Sequence, residues 1–263
     1  MTDIKKKKVL ITGATGGFGA ELIKSFLKEG AELILTDLNH ESLVRVTNEN
    51  SSQGEGKILG HFPSDLSTEA GCREAIVATK KITSVPDIIV NNAGIAILGS
   101  FHNIPSEKWE KIISINTLAP MRITHAFLSD MVERKSGHIV NVSSVAGLVA
   151  TPGLSTYCTS KFAIRAFGES IANEVGKFGV NVTNVYPFFT RTPILESEQI
   201  GFSEKLSIPD MLLSEPKDVI ADLLDGVKNN TVHVYPGPIA KSLEAIGRIA
   251  PWALQMMTTG LIK

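Results

Sequence analysis

The sequence predicts an α/β fold, a doubly wound, seven-stranded parallel sheet with helices on both faces. Two observations predict it. Short β-branched apolar runs alternate with helix-length amphipathic segments, the rhythm of βαβ units whose sheet is covered on both sides. No Pro/Gly/Ser-rich linker, low-complexity tract or internal repeat divides the chain, so residues 1–263 read as one domain.

The elements follow in order. Apolar runs at 9–12, 31–36, 57–63, 87–91, 138–143, 181–186 and 232–235 read as strands, and helical stretches lie between them at 17–29, 40–50, 68–81, 106–134 and 155–177. Residues 188–214 break the rhythm. That region is too long for a strand-to-helix turn, and Phe188, Phe189, Ile194, Leu195, Phe202 and Leu206 make it too apolar for a solvated insertion, so it reads as a cover over an apolar pocket. Near the end, Ile239, Leu243, Ile246, Ile249, Leu254 and Met257 recur at roughly helical spacing, with Pro251 placed to kink the helix. Such a face can pack on its own domain, on a subunit or on a membrane surface, the first two being the ordinary outcomes.

Composition excludes several classes. With 43% hydrophobic and 20% charged residues the chain is neither disordered, collagen-like nor coiled-coil. Lysine plus arginine number 26 against 27 acidic residues, so no broad basic field awaits nucleic acid, and the lysines at 5–8 read as a solvated end. Cys72 and Cys158 have no partner at zinc-ligand spacing and make no disulfide framework; the histidines at 40, 61, 102, 125, 138 and 233 are dispersed. No metal is expected. The basic start before Val9-Leu10-Ile11 imitates a signal peptide, but glycines from Gly13 onward interrupt the apolar region, so a reducing, cytoplasmic location is expected. No stretch approaches the ~18 apolar residues of a membrane-spanning helix.

Thr12-Gly13-Ala14-Thr15-Gly16-Gly17-Phe18-Gly19 follows the first strand and opens the first helix. Unpaired N–H groups and the helix dipole there favour an anion, and a pyrophosphate suits the place. Gly13 makes the tight turn, Gly17 removes a side chain where ligand and backbone approach, and Gly19 lets helix and sheet pack closely, as in a Rossmann dinucleotide site. Asp37, at the end of the second strand, can accept hydrogen bonds from both ribose hydroxyls; it would repel a 2′-phosphate, and no nearby cation compensates. The cofactor expected is NAD(H). Asp37 can also be read as a helix cap or turn residue before 38–40, and Asp65 carries the same ambiguity.

Tyr157 and Lys161 stand four apart in a segment of helical period and share a face. A cation about 5 Å from a phenol at an effective dielectric near 20 favours phenolate by roughly 3 kcal/mol, which would bring Tyr157 from ~10 towards neutral pH. Alone, such a pair is usually an ordinary helix-surface pair. Its context is the glycine turn together with Asn91-Asn92-Ala93-Gly94, Asn116, Ser143-Ser144 and Tyr157-Cys158-Thr159-Ser160-Lys161, in consistent order. With these motifs the chain resembles the short-chain dehydrogenase/reductase family over about residues 8–192.

The resemblance implies Tyr157 as general acid/base and Lys161 as holder of the nicotinamide ribose and depressor of the tyrosine pKa. It implies Ser144 as donor to the substrate oxygen, with Ser143 an orienting neighbour, and Asn116 as anchor of a proton relay to Lys161, a role compatible with packing. It also implies Thr15, Phe18, Leu66, Asn92, Ala93, Gly94 and Pro187 along the cofactor, Asp65 at adenine and Thr192 at the carboxamide. Where the family often has Pro-Gly, this chain has Pro187-Phe188, which adds an aromatic wall on the substrate side. Cys158 reads as a buried small side chain without chemistry. Ile95 to Leu98, Val145 to Val149 and the 188–213 region would then flank a pocket for a hydrophobic secondary alcohol or ketone. The family's habit implies a homodimer or homotetramer through helices 106–134 and 155–177. A nucleotide-binding regulator without turnover is the alternative.

Overall fold

The computed structural model describes residues 1–51, 54–201 and 208–259, so Phe202 and Leu206 of the expected cover lie outside the described residues, as does the side chain of Met257. The strands are β1 (Lys8–Thr12), β2 (Glu32–Asp37), β3 (Lys57–Pro63), β4 (Ile88–Asn91), β5 (Leu98–Gly99), β6 (Gly137–Val142), β7 (Val180–Val185), β8 (Gln199–Ile200) and β9 (His233–Val234). The helices are α1 (Gly17–Lys28), α2 (His40–Asn50), α3 (Glu69–Ile82), α4 (Ser106–Ile113), α5 (Ala119–Glu133), α6 (Ser155–Val175), α7 (Pro216–Lys228), α8 (Gly237–Ile249) and α9 (Pro251–Thr259). Seven strands form one sheet in the order β3-β2-β1-β4-β6-β7-β9, every pair parallel. The order reverses between β1 and β4, where a crevice opens beyond the strand ends and ligands bind in such sheets.

Side-chain alternation distributes the strands between two cores. Val9, Ile11, Leu33, Leu35, Ile88 and Val90 face one layer, where Leu22, Ile23, Phe26 and Leu27 of α1 meet Ile220, Leu223 and Val227 of α7. Leu10, Ile34, Ile89 and Ile139 face the other, against Ile123, Phe127 and Met131 of α5. Both strand faces are therefore apolar, as a parallel sheet requires. Each such side chain contributes about 1.5–3 kcal/mol by burial, so Phe26→Ala would cost about 3–5 kcal/mol.

Three departures from the sequence reading have physical causes. The expected helix 106–134 is α4 and α5 joined by a π-helical turn at Ser114–Leu118. In α-helical register the carbonyl of Asn116 would accept from residue 120, but Pro120 has no N–H, and the winding changes there. α7 was not foreseen, although Val219, Ile220, Leu223, Leu224 and Val227 follow a buried helical stripe. At Pro251 the chain breaks into two helices rather than kinking, because the residue before a proline is driven off helical geometry; Ala250 lies at φ −140°, ψ 67°. Leu254 is buried there, whereas Ile249 is 86% and Trp252 66% exposed.

Residues 188–214 are partly anchored. β8 pairs with β5, Ile200 packs on the cluster of Ile97, Ile104 and Ile112, and Thr190 bridges to Ser214. Met211 is 88% exposed and covers nothing in this arrangement. Among the described residues no helix is long and apolar enough to cross a membrane.

Candidate active site

The glycine turn closes the carboxyl end of β1 at the reversal point. Gly13 lies at φ +64°, where a Cβ would also stand 2.7 Å from Cα of Ala93, so only glycine fits. Asn92 stitches this contact: its Nδ2 donates to the carbonyls of Thr12 at 3.0 Å and Gly13 at 2.9 Å. The backbone N–H groups of Asn92 and Ala93 both donate to Thr12 Oγ1 at 3.1 Å. A Cβ on Gly19 would stand 2.2 Å from the Gly13 carbonyl, and one on Gly17 would stand 2.7 Å from Thr192 Cγ2. Gly17 therefore makes room for Thr192, a neighbour distant in sequence that the loop after β7 brings to the turn.

The turn fits the pyrophosphate of a dinucleotide. α1 starts from a Gly16 cap with no side-chain cap hydrogen bond and no acidic residue in its first turn, so its leading N–H groups are offered to an anion. The Phe18 side chain packs towards the core beneath.

Asp37 ends β2, and its carboxylate is gripped by the turn. Oδ2 accepts from both the N–H and the hydroxyl of Thr15, each at 2.8 Å, while Oδ1 accepts from the N–H of Leu38 at 2.7 Å. The capping alternative is resolved: Asn39 caps α2 by accepting from Ser42 N at 2.9 Å. Asp65 Oδ1 accepts from the N–H and hydroxyl of Ser67, which hold its carboxyl below the usual range, and Thr68 caps α3. Leu66 is a core side chain, with its carbonyl facing Cys72 Sγ at 3.6 Å.

At the other side of the crevice α6 carries Tyr157 and Lys161. Lys161 Nζ lies 5.5 Å from the Tyr157 ring centroid and donates to the Val142 carbonyl at 2.9 Å. Ser143 Oγ donates to the Lys161 carbonyl at 2.9 Å, tying α6 to the end of β6. Ser144 accepts from Ala146 N at 3.1 Å and hydrogen-bonds Tyr157. Asn116 is buried: its Oδ1 accepts from Ile95 N at 2.9 Å, and its Nδ2 donates to the Ile95 carbonyl at 2.9 Å and to Ser160 Oγ at 3.0 Å. A Cβ on Gly94 would lie 3.4 Å from Asn116 Oδ1 and 3.5 Å from Lys161 Nζ, so these three stand together.

The electrostatics correct one expectation. Burial pushes the Tyr157 phenol up to about 12, the Ser144 hydrogen bond opposing it, and burial pushes Lys161 down to about 8. The expected fall of Tyr157 towards neutrality does not occur, because the sequence argument counted the attraction of Lys161 and not desolvation of the phenolate. Val142, Ile95 and Ser160 were also missed. The first two act through backbone carbonyls, which side-chain identity cannot flag; Ser160 had a signal, lying three residues from Tyr157, whose carbonyl its hydroxyl meets at 2.7 Å.

The Pro187 carbonyl accepts from Val145 N at 3.0 Å, and Phe188 and Phe189 meet edge to face with centroids 4.7 Å apart. Thr192 Oγ1 donates to the Thr190 carbonyl at 3.2 Å. Cys158 is buried, its Sγ accepting from Thr151 N at 3.4 Å. Among the described residues no group of three or more His, Cys, Asp or Glu could hold a metal ion.

A parallel sheet with a glycine turn at its reversal point and a Tyr/Lys/Ser cluster opposite defines a dinucleotide-binding α/β protein. The chain belongs to the short-chain dehydrogenase family, whose model matches residues 7–200. Oxidoreductase UcpA of Salmonella typhimurium is 35% identical over 216 residues, covering 82% of this chain and 80% of that protein. A short-chain dehydrogenase from Sphingobium yanoikuyae in complex with NADPH superposes with a TM-score of 0.80 at 24% identity, covering 94% of this chain and 95% of that one. A short-chain dehydrogenase/reductase from Burkholderia phymatum in complex with NAD does so with a TM-score of 0.82 at 20% identity, covering 96% of each. The family is one of oxidoreductases that bind a nicotinamide dinucleotide.

Proposed function

We propose that the protein transfers a hydride between NAD(H) and a hydrophobic secondary alcohol or ketone, with Tyr157 as the general acid/base. The observation that carries this reading is the meeting of Tyr157, Ser144 and Lys161 at the carboxyl ends of β6 and its neighbours. NAD(H) supplies the hydride carrier when bound. Gly13, Gly17, Phe18 and Gly19 would hold its pyrophosphate through backbone, with Asp37 and the Thr15 that grips it at the ribose, Asp65 and Leu66 near adenine, and Asn92, Ala93, Gly94, Lys161, Pro187 and Thr192 towards the nicotinamide. Ser144 donates to the substrate oxygen. Tyr157, protonated at neutral pH in the arrangement described, gives its proton to the oxygen of a ketone being reduced. Lys161, held by Val142, stabilises the phenolate left behind.

Asn116 would anchor the proton relay to Lys161, and its place in the π-helical turn four residues before Pro120 supports this, since no residue-120 N–H competes for its carbonyl. Ile97, Val145, Phe188 and Phe189 supply an apolar wall, which favours an apolar substrate. The reading extends to one cytoplasmic domain that self-associates through α4, α5 and α6, where Met121 of α5 and Phe162 of α6 are 40% and 38% exposed. Purified protein incubated with NAD or NADH and a panel of hydrophobic alcohols and ketones tests it. Hydride transfer is expected; NADH binding without transfer to any member would favour a regulator instead.

A further inference from the structure

We infer that α8 and α9 together form a docking surface for an anionic phospholipid bilayer, Trp252 and Met256 entering the headgroup region and Lys241 and Arg248 lying beside them. The inference stands apart from the hydride-transfer reading. α9 has an inner side marked by Leu254, which is buried and so near α8 that a Cβ on Gly247 would stand 2.9 Å from Leu254 Cδ1. Positions two before and two after Leu254 lie about 200° round the helix, on the outer side, and there the chain places Trp252 and Met256, 66% and 70% exposed. Ile249 adds a third exposed apolar side chain at the end of α8. A helix that only covered its own domain would turn polar side chains outward.

Charge selects the occupant. Lys241 and Arg248, seven residues apart, share the exposed face of α8 that ends at Ile249. Glu244 is the one acidic residue of the two helices; its side chain is turned inward at 21% exposure, 3.6 Å from Arg248 Nη1, while Arg248 itself is 79% exposed. The outward surface thus joins cations to apolar side chains, a tryptophan among them, with its single carboxylate withdrawn. That combination suits the boundary between acidic headgroups and acyl chains. Size argues against a second copy of the chain: three side chains of this kind present roughly 400 Å², about half of the ~800 Å² that each partner buries in a stable interface.

The test is co-sedimentation of the full chain with vesicles of phosphatidylcholine alone and of phosphatidylcholine and phosphatidylglycerol in equal parts. Tryptophan emission and analytical ultracentrifugation accompany it, with thermal melting as the folding control. Wild type should bind the mixed vesicles at least about fivefold more strongly than the neutral ones, and its emission should shift to the blue. Trp252→Ser/Met256→Ser should lose at least about tenfold of that binding together with the shift, Trp109 being the tryptophan that remains. Lys241→Gln/Arg248→Gln should lose at least about threefold on mixed vesicles and less than about twofold on neutral ones. Wild type that binds neither vesicle, or both equally, would overturn the inference, as would binding that survives Trp252→Ser/Met256→Ser. A dimer in the ultracentrifuge that this variant turns into monomer would overturn it too, because a second copy would then cover the surface.

Discussion

Lys161 donates its ammonium proton to the Val142 carbonyl at 2.9 Å, so the one buried lysine of the site is fastened to the last residue of the strand that Ser143 and Ser144 directly follow. Its position is set by backbone, and the opposing force is desolvation, which lowers its pKa from 10.5 to about 8. Between those values the unfolded chain binds a proton that the folded one does not, so stability rises with pH across the window. Wild type should therefore gain up to ~3 kcal/mol relative to Lys161→Met as pH goes from about 8 to about 10.5. Denaturant midpoints of the two proteins across that range check it, and parallel curves would contradict it.

A second buried base should act at the acid end. His138 Nε2 lies 2.8 Å from Thr183 Oγ1, whose own proton goes to the Thr231 carbonyl at 2.8 Å, so Nε2 carries a hydrogen, while Nδ1 faces Thr2 Oγ1 at 3.2 Å. Burial lowers its pKa from 6.5 to about 4. The stability associated with the neutral ring is present above 6.5 and is lost as pH falls towards 4, to a maximum of ~3 kcal/mol. His138→Asn should remove that loss. Urea melts at neutral and acid pH would show a smaller drop for the variant; the same drop in both would refute the assignment.

α6 is seated on a row of amides. Asn91, Asn141 and Asn184 pair in register on β4, β6 and β7, and Nδ2 of Asn91 and Asn141 donate to the next Oδ1 at 3.0 and 3.1 Å. A Cβ on Gly168 would stand 1.9 Å from Asn184 Oδ1, so the helix can lie this close only with glycine there. Gly168→Ala should destabilise by ~2 kcal/mol or more. An unchanged thermal midpoint would show that the helix and amides yield without strain.

Gly17 and Thr192 give a prediction about binding. Gly17→Ala places a methyl 2.7 Å from Thr192 Cγ2, displacing that loop from the turn, and should weaken NADH by about tenfold. The Thr192 Cβ would also stand 2.8 Å from that methyl, so Thr192→Ser leaves a clash, whereas Thr192→Gly removes both atoms and should restore part of the affinity in the double variant. A double variant as weak as Gly17→Ala would place the defect in the turn itself.

The sheet was legible because local and global signals agree: each apolar run of β1 to β4 serves both faces, and β3 and α2 begin and end where the sequence placed them. The β5–β8 pair was not, since two-residue strands have no period, and the π-helical turn hid inside a continuous amphipathic pattern whose one clue was Pro120. In the site, spacing brought out the Tyr157/Lys161 pair and the glycine turn. It missed what depends on distant packing: the grip of Thr15 on Asp37, the seat of Thr192 against Gly17, and the burial that raises the Tyr157 phenol.

The proton-transfer role of Tyr157 is the centre of the account, and Tyr157→Phe tests it with one hydroxyl removed. NADH affinity by fluorescence titration should stay within about threefold of wild type, while hydride transfer on any ketone or alcohol accepted by the wild type should fall by at least about a hundredfold. Undiminished transfer in that variant would contradict the account.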